Sequence, residues 1–289
     1  MFDHIQAFYQ PSSIREAVRL LRSGRGRGRV LAGGTDLAVQ ADRSLRFLVD
    51  ITRLGLDYIR QRGNAWAIGA TTTMAALEYS PKIRGLADGI LARAASSCGS
   101  MQIRNMATVG GNLASASPAA DTPPPLLALD AVVVLAGPRG RRKMPLADFF
   151  ASPGKTALNG TLLVEIVIPP LPRGGRTGWS FQKLGRIQTD IAVVNVAAGL
   201  RVDPARRCTW ARIALGAVAP TPMRARKAEA LLIGHVLEPG LVEHVAEEVA
   251  QEVRPITDLR ASAGYRREMS RVLVRRALEE CAERVGCPL

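Results

Sequence analysis

Three prolines in four residues, Pro169-Pro170-Leu171-Pro172, followed by Arg173-Gly174-Gly175-Arg176, interrupt the chain a little past its middle. Proline fixes φ and removes a backbone donor, so neither a helix nor a central strand runs through this stretch, and the glycines behind it form a joint. The break predicts two units, residues 1–172 and 173–289, each long enough to bury a core.

Ahead of the break, helical and strand patterns alternate. Ser13-Ile14-Arg15-Glu16 reads as a capping box opening a helix with Ile14, Ala17, Val18 and Leu21 on one face. Strands are expected over 29–32, 46–51, 65–70, 131–136 and 162–168, with Gly63-Asn64 turning a hairpin, and one helix over 81–97. Behind the break come three strands, 178–184, 191–202 and 208–218, and then helices over 227–233, 239–253 and 260–284. Strands followed by helices give an α+β arrangement. No apolar run approaches the roughly 20 residues of a membrane helix. The opening Met1-Phe2-Asp3-His4-Ile5 lacks a basic segment followed by an apolar one, so a cytoplasmic protein is expected.

Lys and Arg number 39 against 25 acidic residues, a net charge of +14. A surplus of this size raises a nucleic-acid reading, but arginines are spread along the whole chain. The densest run, residues 22–29, holds no aromatic side chain on which a base would stack. A basic nucleic-acid-binding module is therefore the remote alternative to a surface that docks acidic protein partners. Cys98, Cys208, Cys281 and Cys287 form no CxxC, and His4, His235 and His244 stand at no ligand spacing to them, so neither a metal nor an iron–sulfur site is expected on this chain.

Two double-glycine turns carry the chemistry. Ala32-Gly33-Gly34-Thr35-Asp36 and Thr108-Val109-Gly110-Gly111-Asn112 each follow an extended stretch. Paired glycines let the backbone turn sharply and bring its N–H groups close to an anion. Taken singly each is an ordinary turn; converging, the two make a cradle for a diphosphate, with Thr35, Thr108, Asn112, Ser115 and Ser117 supplying polar side chains. Neither turn is a GxGxxG or a Walker A loop.

The combination of Ala32-Gly33-Gly34-Thr35-Asp36-Leu37 with the run Gln102-Ile103-Arg104-Asn105, Thr108 to Asn112 and Ala116-Ser117-Pro118-Ala119-Ala120-Asp121 resembles the FAD-binding medium subunit of the molybdenum hydroxylases, the family of xanthine and carbon monoxide dehydrogenases. Phe181-Gln182-Lys183-Leu184-Gly185-Arg186, Asp190-Ile191-Ala192, Asn195-Val196-Ala197 and the stretch from Gly216 to Pro222 look like the C-terminal domain of that subunit. The resemblance spans the chain, with its motifs in order. It implies an α+β two-domain FAD-binding fold of the vanillyl-alcohol-oxidase (PCMH) type, followed by a carbon monoxide dehydrogenase flavoprotein C-terminal domain.

The resemblance also implies roles. Leu31, Ala32, Gly33, Gly34, Thr35 and Asp36, with Thr108, Val109, Gly110, Gly111 and Asn112, would wrap the FAD pyrophosphate with backbone amides, with Ser117 nearby. Asp121 would bond the cofactor's sugar hydroxyls, and Leu162 or Leu163 would approach the adenine or isoalloxazine side. Lys183 would sit near the flavin ring, where a cation favours its anionic reduced form. Asp190 and Ile191 would lie beside the isoalloxazine; some relatives have Tyr where Ile191 stands. Read from the residues alone, Asp121 can instead cap the helix that follows it, Lys183 can be a solvated charge, Asp190 can pair with Arg186, and Ile191 and both leucines can be core. The chain would itself carry no catalytic residue and no metal. A large partner would hold the molybdenum cofactor and hydroxylate the substrate, N-heteroaromatic or purine ahead of carbon monoxide. A small partner would hold two [2Fe–2S] clusters, in a dimer of heterotrimers. A stand-alone FAD-dependent oxidase is the alternative from another class.

Overall fold

The computed structural model describes residues 4–24, 26–40, 42–172 and 174–289. Met1, Phe2 and Asp3, Arg25 of the arginine–glycine run, and Arg173 of the expected joint lie outside the described residues. Helix α1 (Ile14–Ser23) starts where the capping box predicts: the Ser13 side chain accepts from the Glu16 amide. The reciprocal half closes one residue earlier than the motif prescribes, because the Glu16 carboxylate accepts from the amide and hydroxyl of Ser12. Such a cap stabilises a helix by about 1 kcal/mol.

Strands β1 (Ala7–Tyr9), β2 (Gly28–Leu31) and β3 (Phe47–Asp50) form a parallel sheet in the order β1-β3-β2, and α2 (Thr35–Gln40) lies in the crossover from β2 to β3. Gly24 and Gly28 of the arginine–glycine run close on the Phe47 ring, which a Cβ at either position would strike. Close packing there accounts for these two glycines.

An antiparallel sheet follows. It is built from β4 (Ile59–Arg62), β5 (Ala65–Gly69), β6 (Val132–Gly137), β7 (Gly140–Pro145) and, beyond a small β8 (Phe150–Ser152) and β9 (Lys155–Thr156) hairpin, β10 (Leu162–Ile168). The order is β4-β5-β10-β6-β7. One face packs under α1; the other packs against short helices α3 (Met74–Tyr79), α4 (Pro81–Arg84), α5 (Ile90–Ser96), α7 (Val109–Ala114) and α8 (Pro123–Ala128), with α6 (Met101–Met106) lying on α3. The single helix expected over 81–97 is two helices with a 3-10 turn between them. Ala87 and Asp88 adopt φ of 50° and Gly89 of 73°, a left-handed stretch that no continuous helix accommodates.

Beyond the proline break, β11 (Arg176–Leu184), β12 (Val194–Val202), β13 (Cys208–Gly216) and the short β14 (Met223–Arg224) make an antiparallel sheet in that order. Helices α9 (Arg226–Leu232), α10 (Pro239–Glu252) and α11 (Ala263–Arg284) complete the chain. Both faces of this sheet are covered. Val196, Ala198, Leu200, Ile213 and Leu215 share a core with the three helices, whereas Trp179, Phe181, Ala197 and Ala214 join the core of the first unit. Burial on two faces explains the nearly continuous apolar runs of β12 and β13. The α+β architecture in two units is the one expected. Among the described residues no helix is long and apolar enough to cross a membrane.

Candidate functional site

The two double-glycine turns converge. Strand β2 ends at Leu31, and Ala32, Gly33 and Gly34 (φ 70°) turn the chain into α2. Gly33 rests against the end of α6, where a Cβ would run into the Met106 carbonyl. Thr108 caps α7, its hydroxyl accepting from the Gly111 amide at 3.1 Å. At the other end of α7, the Ser115 hydroxyl reaches the Asp36 carboxylate, tying the second turn to the first.

The turns differ in what their backbones offer. Val109 donates to the Thr72 carbonyl, Gly110 to Ala70, Gly111 to the Thr108 hydroxyl and Asn112 to the Thr108 carbonyl. Four of the five amides expected to grip an anion from this segment are thus engaged within the chain. Gly110 is also confined on its own account, because a Cβ there would meet Ala70. In the first turn, by contrast, the amides of Ala32, Gly33, Gly34, Thr35 and Asp36 find no hydrogen-bond acceptor among the described residues, on a half-buried stretch that is open only at Asp36. A run of free amides on a glycine turn has the donor geometry that an anion can accept from.

Next to the second turn sits a buried charge cluster. Lys183 on β11 donates to Asp121 Oδ2 at 2.7 Å and to the Ser97 carbonyl at 2.8 Å. Asn195 on β12 donates to Asp121 Oδ1 at 3.0 Å and to the Ala120 carbonyl at 3.1 Å. Burial pushes the Asp121 carboxyl above its ordinary range, against the pull of Lys183 and Asn195 in the other direction. Asp121 does not cap α8, whose N-terminal Thr122 turns its hydroxyl to Asn112 instead. Nor is Lys183 solvated, since its side chain is only 8% exposed. Cys98, which the spacing argument left without a role, lies near this pair; burial and the Asp121 charge push its thiol up to about 11.

Between β11 and β12, the loop 185–193 carries Arg186 paired to Asp190 at 2.7 Å, the exposed ion pair that was one of the two readings for Asp190. Ile191 is half exposed, so the core reading fails for it, and Ile187 on the same loop is open as well. Leu162 and Leu163, adjacent on β10, point to opposite faces: Leu162 enters the core under α1 and Leu163 the larger core, both almost wholly buried. Ser117 lies in the turn after α7, where its carbonyl accepts from Ala120. The structure therefore gathers Leu31 to Asp36, Thr108 to Asn112, Ser117, Asp121 and Lys183 in one region and keeps both leucines inside.

Asn195, quoted in the sequence only as part of a motif, and Ser97 are the residues of this cluster to which sequence reasoning gave no role. A buried asparagine in the middle of an apolar strand was the available signal for the first; a backbone carbonyl leaves none. Elsewhere, a cavity of about 280 Å³ opens at the seam between the units, lined by Pro169, Pro170, Pro172, Trp179 and Trp210. The one carboxylate on its wall, Asp130, is taken up by Arg212 and Arg224. Among the described residues no cluster of His, Cys, Asp or Glu is arranged to hold a metal.

Comparison with known proteins accounts for both units. Residues 2–171 match the family of FAD binding domains in molybdopterin dehydrogenase, and residues 179–281 match the CO dehydrogenase flavoprotein C-terminal domain. The chain is 35% identical to the alpha subunit of the 6-hydroxypseudooxynicotine dehydrogenase complex of Paenarthrobacter nicotinovorans, over 98% of this chain and 95% of that one. It is 35% identical to the carbon monoxide dehydrogenase medium chain of Hydrogenophaga pseudoflava, over 94% and 95% of the two chains. A solved carbon monoxide dehydrogenase from the latter organism, lacking the Mo-pyranopterin moiety, superposes with a TM-score of 0.91 at 35% identity, over 97% of this chain and 98% of that one.

Proposed function

This chain belongs to the FAD-binding medium subunits of the molybdenum hydroxylase family, and from that premise we propose that it is the electron relay of a larger oxidoreductase. Bound FAD supplies the chemistry, taking up electrons one or two at a time and giving them to an external acceptor. The partners in this reading are a small subunit with [2Fe–2S] clusters and a large molybdenum-cofactor subunit, assembled as a dimer of heterotrimers in the cytoplasm. Substrate is hydroxylated on the large subunit, N-heteroaromatic or purine ahead of carbon monoxide. Relatives named for a nicotine derivative and for carbon monoxide are equally similar to this chain, so the substrate is a property of the large partner.

The observation that carries the reading is the row of amides from Ala32 to Asp36 without an acceptor among the described residues, beside a buried lysine. A diphosphate matches such a row; Gly33 lets the turn pack on the Met106 carbonyl and Gly34 takes the left-handed φ of 70° that the turn requires. In the proposed site Thr35 and the end of β2 at Leu31 frame that contact. Thr108, Val109, Gly110, Gly111 and Asn112 act mainly as a rigid floor, their amides being engaged already, with Ser117 on the adjoining turn. Lys183 brings a fixed positive charge to the ring, and Asp121 offers the remaining lone pairs of its carboxylate to a sugar hydroxyl while holding Lys183 in place. Ile191 covers the ring with apolar surface, and Asp190, through Arg186, shapes its loop. Leu162 and Leu163 serve the site from the core. The division into working units is placed at 172/173.

Absorbance and copurification test the proposal. The purified full chain is expected to be yellow, or to become so with added FAD, and a tagged copy in its native cell is expected to bring down a larger and a smaller partner. A chain that takes up no FAD overturns the reading, and so does an FAD-loaded chain that oxidises an organic substrate with no partner present.

A further inference from the structure

Strands β11, β12 and β13 set Lys183, Asn195 and Gly216 side by side in one cross-strand row, Lys183 opposite Asn195 and Asn195 opposite Gly216. The row faces the segment that ends in Asp121. Lys183 takes one carboxylate oxygen of Asp121, Asn195 takes the other, and next to Gly216 the Ala217 amide donates to the Pro118 carbonyl at 2.6 Å. Gly216 has no side chain because a Cβ there would strike the Asn195 amide oxygen.

Asn195 is an expensive residue in this place. It is fully buried between Val194 and Val196, and its Oδ1 has no hydrogen-bond partner in the structure. A buried unsatisfied carbonyl is destabilising, and leucine would fill nearly the same volume without it. What leucine cannot supply is the NH2 group, both of whose hydrogens are used, on Asp121 and on Ala120.

We propose that Asn195 is a positioning residue of the cofactor site: it holds Asp121 by one oxygen so that the other fixes the Lys183 ammonium in register with FAD. The proposal rests on the reading that FAD binds beside Lys183. An ammonium has three N–H donors, and Lys183 gives two of them to Asp121 and to the Ser97 carbonyl, which leaves one for the cofactor. Without the amide, Asp121 is free to rotate or to take up a proton, and Lys183 loses its fixed direction. The charged and titratable groups facing position 195 are Asp121 and, across the strand, Lys183; Cys98 lies near that pair, and Asp36 and Arg104 lie near Cys98.

Two variants of the full chain, titrated with FAD and followed by flavin fluorescence, test this. Asn195→Leu removes the donor and keeps the packing, and is expected to weaken FAD binding about tenfold at neutral pH, the size of one lost hydrogen bond to a charged group. Asn195→Asp keeps the shape and makes the donor depend on a proton. Near pH 5.5, the new carboxyl shares a proton with Asp121 and binding stays close to wild type. Near pH 8.5, the two carboxylates repel and binding weakens by about tenfold or more, while wild type changes little over the same range. In a variant that circular dichroism shows to stay folded at both pH values, this pH dependence is what a merely structural role would not produce, and it stands even if Asn195→Leu fails to fold. Wild-type affinity for Asn195→Asp at both pH values overturns the inference, as does an equal loss at both. If wild type itself takes up no FAD, the reading beneath the inference falls, and the inference with it.

Discussion

At the scale of single residues, glycines that resemble one another in sequence do different work. Gly33 is held against the Met106 carbonyl, and backbone cannot yield there, so the absence of a side chain is required by the fold before any ligand arrives. At Gly111 an added Cβ would lie 2.9 Å from the Thr108 hydroxyl, a group that can swing away by a χ1 rotation at the cost of the α7 cap. Gly33→Ala is therefore expected to lower both the melting temperature and the FAD content. Gly111→Ala is expected to cost about 1 kcal/mol, the value of an N-cap, and to keep most of the flavin. Calorimetry with the FAD-to-protein ratio of each purified variant checks this; equal losses from the two substitutions contradict it. The convergence of the two turns was legible in the sequence only through family resemblance, since their composition alone left each an ordinary turn. The engagement of the second turn's amides was not, because their acceptors, the carbonyls of Ala70 and Thr72, are backbone groups with no sequence signature.

At the scale of elements, helix α11 reaches back to order the loops around the site. Arg266 is buried; its guanidinium donates to the carbonyls of Val193 and Ala217 and to the Asp258 carboxylate at 2.7 Å. Val193 closes the loop that carries Ile191, and Ala217 holds Pro118. Partial burial would raise the Asp258 carboxyl, but the Arg260 amide, the Arg266 guanidinium and the Ala261 amide together hold it down at about 2, from an ordinary 3.8. A carboxyl with a depressed folded value contributes stability above its unfolded value and loses it as pH falls through the folded one. Asp258→Asn should thus be less stable than wild type at pH 7, with the gap shrinking below about pH 4 and closing near pH 2. Denaturant titrations across that range measure it; a gap independent of pH contradicts the assignment. The strands and helices of this half were predictable because their apolar runs are long. The helix expected over 81–97 was misread because its break is made by Ala87 and Asp88 in left-handed conformation, which neither residue type announces. Strand β7 escaped because it is an exposed edge, Gly-Arg-Arg-Lys-Met-Pro, that shows no alternation.

At the scale of the whole molecule, the two units share one interior. Trp179 from β11 is sunk in the core of the first unit and stacks at a tilt on Trp210 with centroids 5.2 Å apart, while its amide donates to Asp88. Arg93 reaches Glu280, and Lys183 reaches Asp121. Heating is accordingly expected to give a single cooperative transition; independent melting of residues 173–289 in a scanning calorimeter contradicts it. The charge of +14 exceeds anything a diphosphate balances. Amino-acid order by itself determined the α+β class, the two units and the glycine turns, because periodicity, proline and glycine act through the local backbone. The residues around the turns were assembled only by tertiary structure. Asp121, Lys183 and Asn195 stand 62 and 74 positions apart in the chain, and what makes them one cluster is strand register and burial. A carboxylate taken out of water is tolerable only where a cation and a donor have been folded against it, and local sequence does not encode that meeting.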